Sequence, residues 1–471
     1  MNGTYSDMNT THDKNKRIVS DSMGEMEVDA DALYGAQTQR AIDNFPVSGQ
    51  VMPEDFIRAL VLIKSIAAKT NAELNCLDKN ISDAIVSASG SLLEDPKLTS
   101  HFPLDVFQTG SGTSSNMNAN EVIATLASGI AGQEVNPNDH VNFGQSSNDV
   151  IPTTIHVSAA MSSRRKLIPA LEALRDEIIQ KADSVKGYSK TGRTHLMDAM
   201  PIRMDQSLLS WADQIDAGIS GVDRALTYVC TLGLGGTAVG TGINTHPEFG
   251  QTFAKLLSAE TGIKFSSADN FFPYIGSQDA AVGLSGQLKM LAVSIIKISN
   301  DLRWMNSGPL AGLGEITLEA LQPGSSIMPG KVNPVIPEAA AMVGAQVIGN
   351  DATITVAGQS GNFELNVMLP VIASNLLTSI KILSNVSLLM AEKAIKTFVV
   401  NEEKLTEALH RNPILVTALN PIIGYAKAAE IAKKAYAENR PIIDIAEDNT
   451  DIPRAELEQL LDPMKLTEGG L

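Results

Sequence analysis

From Leu284 the apolar residues Leu284, Leu288, Leu291, Ile295, Ile298 and Leu302 step alternately by four and three positions. That spacing puts all six on one face of a helix of about twenty residues or more. Similar stripes predict long helices over residues 155–185, 204–231, 338–357 and 371–396. Five long helices in one stretch predict a bundle, with the connecting loops at its ends. On either side the pattern is shorter. Residues 1–16 are polar and read as a mobile tail, and 18–145 mix short helical stripes such as "DFIRALVLIKSIAAKTNAEL" with polar loops. After about residue 401, "ALNPIIGYAKAAEIAKKAYAENR" predicts a small helical region interrupted at Pro421 and Gly424. The expected fold class is all-α, mainly helical. The expected division is 1–145, 146–402 with its long helices, and 403–471.

Length and composition agree with that picture. A chain of 471 residues exceeds the size of one core, so two or three domains are expected. Hydrophobic residues make up 44% and aromatics only 4%, so the interior is built from aliphatic side chains that suit helices. A net charge of −17 without a basic cluster argues against nucleic-acid partners and anionic membrane surfaces. It does not exclude an anionic substrate, because salt screens distant charge within roughly 8–10 Å. Cys76 and Cys230 are the only cysteines, which fits a reducing compartment and offers neither a disulfide framework nor a metal cluster. The first twenty residues hold no apolar h-region, and no uninterrupted run of eighteen apolar residues occurs. A cytoplasmic protein with no membrane span is the expectation.

Four polar segments, rich in Gly, Ser or Asn, interrupt the helical stripes. They are "QTGSGTSSNMNANE" (108–121), "NPNDHVNFGQSSNDVIPT" (136–153), "TGRTHLMDAMP" (191–201) and "PGSSIMPGKVNP" (323–334). Hydroxyls, amides and free backbone N–H groups are the means of holding a small carboxylate without a metal. The last segment, with three prolines and two glycines, can be neither helix nor central strand and reads as a functional loop. Its single cation, Lys331, has no acidic neighbour in sequence before Glu338 and is the natural anion holder. His195, beside Arg193, Thr194 and Asp198, is the acid/base candidate, since imidazole titrates near neutrality. "GLGGTAVGTG" (233–242) loosely fits a dinucleotide fingerprint, but a helical stripe precedes it and a polar turn follows, so no nucleotide is expected. No histidine has metal-like partner spacing.

"GSSIMPGKVNP" resembles the signature of the fumarase/aspartase superfamily, and the likeness runs from "DSMGEMEVDADALYGAQTQRA" to "GYAKAAEIAKKAY". Within it, "TGSGTSSNMNANE", "GGTAVGTGINTHPEF" and "QSGNFELNVMLPVI" are similar to class II fumarate hydratases, whereas "VNPVIPE" leans towards aspartate ammonia-lyases. The resemblance implies a three-domain helical subunit whose five-helix bundles form a twenty-helix core in a homotetramer. It also implies active sites shared by three subunits, a small dicarboxylate substrate, and no metal or organic cofactor. By position, Ser325 resembles the base that takes the C3 proton of malate, and His195 the group that handles the water, with Glu338 as its charge partner. Lys331 and Asn333 would hold the carboxylate that becomes an aci-carboxylate dianion. Ser111, Gly112, Thr113, Ser146, Ser147, Asn148, Thr194, Ser326 and Val332 would line the rest of the dicarboxylate site.

Two departures change the expectation. Met197 stands where the family usually has a glutamine, which implies tuning only. The family's second dicarboxylate site corresponds to Asn136, Pro137, Asn138 and Asp139. There Asn136 replaces a common His and Gln133 a basic residue, so weak anion binding is expected. Two alternatives stand beside fumarate hydration: ammonia release from L-aspartate, and a catalytically silent structural protein on the same fold. Intact Ser325, His195 and Lys331 argue against the second.

Overall fold

The computed structural model describes residues 15–470. The expected mobile tail therefore lies almost wholly outside the described residues, and at Lys16 a strand has already begun, pairing Lys16–Asp21 with Gly24–Asp29. Among the described residues, β-structure is limited to five two-stranded pairings and one isolated bridge. The rest of the regular structure is helical, as the aliphatic stripes predict.

The five long helical stretches are all present, with shifted ends. They run Ser147–Ser162 continuing as Ile168–Ser184, then Met204–Val229, Asp279–Met305, Val335–Gly358 and Leu369–Met390. The first was expected as one uninterrupted stripe, but a π-helical turn at Ser163–Leu167 divides it. Pro169 explains the break, because it lacks the N–H that an α-helical ladder needs there. All six residues of the seam from Leu284 to Leu302 are completely buried. Each contributes about 1.5–3 kcal/mol by leaving water.

Two of these helices, together with the turn after the second, give 27-residue stretches apolar enough in composition to cross a membrane: Asp279–Met305 and Leu369–Ile395. The expectation of no span rested on uninterrupted apolar runs. Here roughly half of each stretch is buried inside the chain, as a core helix requires.

The chain clusters into two compact units, interleaved in sequence. The first comprises the described residues up to 165, with 222–288 and 348–381. Its helices Glu54–Glu73, Lys79–Glu94, Thr113–Ala131 and Ser147–Ser162 pack on one another. Pro53 and the acidic pair Glu54 and Asp55 start the first of these, and the Asp78 side chain caps the second by accepting from Asn80 and Ile81 N–H. Within the same unit Ser285 donates to Asp351 at 2.8 Å, and Asn350 donates to Ser379 at 2.9 Å. These bonds tie three of the long helices together.

The second unit comprises 166–221, 289–347 and the described residues from 382 onward. Here the Trp211 indole donates to Asp301 at 3.3 Å, and Lys181 donates to the Phe398 carbonyl while lying over its ring. Its C-terminal part has a core of its own, in which Leu415, Leu419, Ile431, Ile445 and Leu457 pack together. The interruption expected at Gly424 is a residue at φ 79° between the helices Asn420–Ile423 and Tyr425–Glu438.

Candidate active site

In the first unit, two helix N-termini come together. Gly112, at φ 70°, caps the Thr113–Ala131 helix, and a Cβ there would lie 2.9 Å from Ile151 in the first turns of the Ser147–Ser162 helix. Only glycine fits both the left-handed backbone and that approach. Ser111 and Thr113 share a hydroxyl contact of 2.8 Å. Ser146 caps the second helix in a reciprocal box with Asp149, accepting from Asn148 N–H while its own N–H donates to Asp149. Asn116 donates to Ser147 Oγ at 3.0 Å and so links the two turns. Each helix presents a partial positive charge at this end, and the hydroxyls of Ser111, Thr113, Ser146 and Ser147 decorate it.

Below that surface lie charged residues that the sequence reading did not single out. Asp149 is completely buried and accepts from the N–H groups of Gly235 and Thr237 at 3.0 and 2.8 Å. The glycine-rich "GLGGTAVGTG" segment is thus an anion nest occupied by the protein's own carboxylate, and only the two-residue strand Thr231–Leu232 precedes it. Lys64 is also fully buried, and burial lowers its pKa to about 7 against the pull of Asp149. Its position supplied a signal: four residues after Leu60 and three after Val61, it lies in the buried stripe of its helix.

The 136–139 segment satisfies itself. Asn136 Oδ1 accepts from the N–H groups of Asn138 and Asp139 at 2.8 and 3.0 Å, and Asn136 N–H donates to His140 Nδ1. The amides after Pro137 that an anion would need are already occupied.

In the second unit, Ser189–Thr194 and Met197–Arg203 form a hairpin with His195 and Leu196 as its two-residue turn. Both have positive φ, 55° and 60°. A tight turn of this hand requires that of both residues and favours Asn-Gly, so His-Leu here costs about 1–2 kcal/mol per residue. Such strain persists where the surroundings over-determine it. The surroundings are visible along the first strand, where buried Glu315 pairs with Arg193, two residues before the turn, at 2.8 Å and with Lys190 at 3.1 Å. Burial lowers the Lys190 pKa, and Glu315 opposes that shift. Thr194, His195 and Met197 are presented on an exposed tip.

The 323–334 loop is closed on itself. Gly324 N–H donates to the Lys331 carbonyl at 2.7 Å, and the Asn333 amide donates to the Gly324 carbonyl at 2.8 Å. Inside the ring, Ser325 Oγ accepts from the N–H groups of Ile327 and Met328 at 3.2 and 3.0 Å. Ser326, Lys331 and Val332 are exposed. Glu338 is half-buried in the first turn of the Val335–Gly358 helix. Among the described residues, no ion pair joins His195 to Glu338 within one chain.

A Cβ at position 324 would lie 2.5 Å from the Lys331 carbonyl oxygen. Gly324→Ala is therefore expected to open the ring and displace Ser325. Turnover should fall by about tenfold or more, the scale of a misplaced reacting group. The melting temperature should barely move, because the loop is largely exposed. Unchanged turnover would show that the closure does not position Ser325.

Comparison with known proteins covers nearly the whole chain. The family profile described as Lyase matches residues 24–349, and that described as Fumarase C C-terminus matches 415–468. A Pseudomonas aeruginosa protein named fumarate hydratase class II 2 is 66% identical over 97% of this chain and 99% of its own. A Xylella fastidiosa fumarate hydratase class II is 56% identical over 99% of this chain and 98% of its own. The crystal structure of a class II fumarase from Schistosoma mansoni, 36% identical, superposes with a TM-score of 0.93 over 96% of this chain and 99% of that one.

Proposed function

The chain belongs to the class II fumarate hydratases of the fumarase/aspartase superfamily, and from that premise we propose how its own residues carry the reaction. The reaction is the reversible hydration of fumarate to L-malate. The ammonia-lyase alternative suggested by "VNPVIPE" is not favoured, because the near-full-length relatives are named fumarate hydratases.

The observation that carries the residue assignment is Ser325 Oγ accepting two backbone N–H bonds within the loop that also bears Lys331. A serine acts as a base only as its oxyanion, and two fixed N–H donors stabilise that charge. In the malate-to-fumarate direction, the Ser325 oxyanion takes the C3 proton. The electron pair moves into the adjacent carboxylate, which becomes an aci-carboxylate dianion. Lys331, with Asn333, holds that dianion. The C2–O bond then breaks, and the pair returns to form the double bond while the hydroxyl leaves as water with a proton delivered through His195. Glu338 is the charge partner of His195. Ser111, Thr113, Ser146, Ser147, Asn148, Thr194 and Ser326 orient the dicarboxylate, beside Gly112 and Val332.

These groups lie on loops and helix ends of both units, many of them exposed in a single chain. A homotetramer that shares each active site among three subunits, with a twenty-helix core, gives them a means to converge. Exposed apolar side chains on the long helices, Val293, Met342 and Val356 among them, supply surface for such packing. The self-satisfied amides of 136–139 support only weak anion binding at the second site. The compact C-terminal core supports treating 403–471 as a domain beside 1–145 and 146–402. A cytoplasmic location accords with the relatives' metabolic reaction.

The purified protein is expected to convert fumarate to L-malate and back without added metal, unaffected by a chelator, and to release negligible ammonia from L-aspartate. Absorbance of fumarate and an ammonia assay read both. Ammonia from aspartate with no malate from fumarate would overturn the reading, and no turnover of either would favour a silent structural protein.

A further inference from the structure

Lys64 lies on the Glu54–Glu73 helix with no exposed surface. Its amine donates to Asn142 Oδ1 at 2.8 Å and to Gln145 Oε1 at 3.0 Å. Asn142 Oδ1 also accepts from the Asn116 amide at 3.2 Å, and that same amide donates to Ser147 Oγ. The chain of contacts therefore runs from a buried amine to a hydroxyl at the helix N-terminus. Ser147 Oγ accepts from Asn116, so its own proton is free to point at a ligand oxygen.

A buried amine without a direct carboxylate contact needs a reason. The group whose charge acts on it is Asp149, whose own carboxyl pKa burial pushes up while three backbone N–H groups and Lys64 itself pull it down. Of the charged and titratable groups on the other elements packed against this helix, Glu94, Asp139 and Lys255 are exposed to solvent, and others are engaged elsewhere. Glu121 accepts from Gly35, Gln37 and Thr38; Asp83 pairs with Lys79; Glu260 pairs with Lys69. His140 accepts from Asn136 N–H, and His156 contacts the Thr231 carbonyl.

We propose that Lys64 is a positioning residue whose charge, set beneath the Ser146–Asn148 turn, governs how tightly that turn holds a dianionic substrate. The inference rests on reading Ser146–Asn148 as part of the dicarboxylate site. An ammonium has three donors and a neutral amine two, and the structure asks for two bonds. Both protonation states therefore keep the network intact, and only the local charge changes.

The sign follows from linkage. Burial places the Lys64 pKa at about 7, and a bound dianion favours the charged form. Affinity is thus greatest below about pH 7 and falls as pH rises through it, until the higher pKa of the complex is reached. Binding above pH 7 takes up a proton.

Calorimetry of succinate binding to the full-length protein, in buffers of different ionisation enthalpy between pH 6 and 9, tests this. In the wild type, proton uptake and weakening affinity should set in together above about pH 7. Lys64→Met should lose that uptake and bind about tenfold more weakly at pH 6.5, the scale of one nearby charge in a partly polar interior. Asp149→Asn should move the onset to lower pH by removing the attraction that keeps Lys64 charged, so the test survives if Lys64→Met fails to fold. Equal proton uptake in wild type and Lys64→Met, or an unmoved onset in Asp149→Asn, overturns the proposal while leaving the binding site in place. Absence of succinate binding at any pH overturns the site reading itself, and this inference with it.

Discussion

Ser325→Ala is expected to lower turnover by at least about a hundredfold while leaving fold and assembly intact, the lower scale for losing a positioned acid or base. The two N–H groups of Ile327 and Met328 that stabilise the serine oxygen would face an empty position, and no neighbouring hydroxyl in the loop has the same pair of donors. Ser326 is adjacent but exposed. The fold has little stake in the hydroxyl, because the ring is closed separately by Gly324 and Asn333 and solvent can satisfy the freed amides. Surface changes of this kind usually move stability by no more than about 0.5 kcal/mol. Steady-state kinetics with a melting curve separate the two effects. Wild-type turnover in the alanine variant would remove Ser325 from the mechanism.

Lys331→Met is expected to lower kcat as well as raise KM, with the fall in kcat on the order of a hundredfold. Negative charge on the bound carboxylate doubles as the C3 proton leaves, so a cation beside it is worth more in the transition state than in the ground state. Among the described residues, no acidic side chain of the same chain pairs with Lys331, so its charge is not already spent internally. The side chain is exposed, and the carbonyl that closes the loop belongs to its backbone, which methionine retains. A rise in KM with kcat unchanged would reduce Lys331 to a ground-state binding residue.

Much of this protein is legible along the chain. The seam from Leu284 to Leu302 predicts a helix and a buried face, and both are found, because a helical period is a local property of the backbone. The loop at 323–334 is equally legible, since three prolines and two glycines leave it no regular structure. The π-helical turn at Ser163–Leu167 was missed because an apolar stripe does not register a lost N–H at Pro169. The hairpin turn at His195 and Leu196 was missed because leucine rarely takes positive φ and the pair lacks the Asn-Gly or Asp-Gly that marks such a turn.

By itself, then, the sequence determined the helices, the polar segments between them and the family signature, all of which depend on residues near one another in the chain. The tertiary structure decided which distant groups share a buried environment. Lys64 meets Asn142 and Gln145 from 78 and 81 residues away, and Asp149 receives the amides of Gly235 and Thr237 from 86 and 88. Glu315 likewise reaches Arg193 across 122 residues to brace the His195 hairpin. Removal of water sets the charge state of Lys64 and makes each of these contacts matter, and that removal requires the whole surrounding shell to be in place.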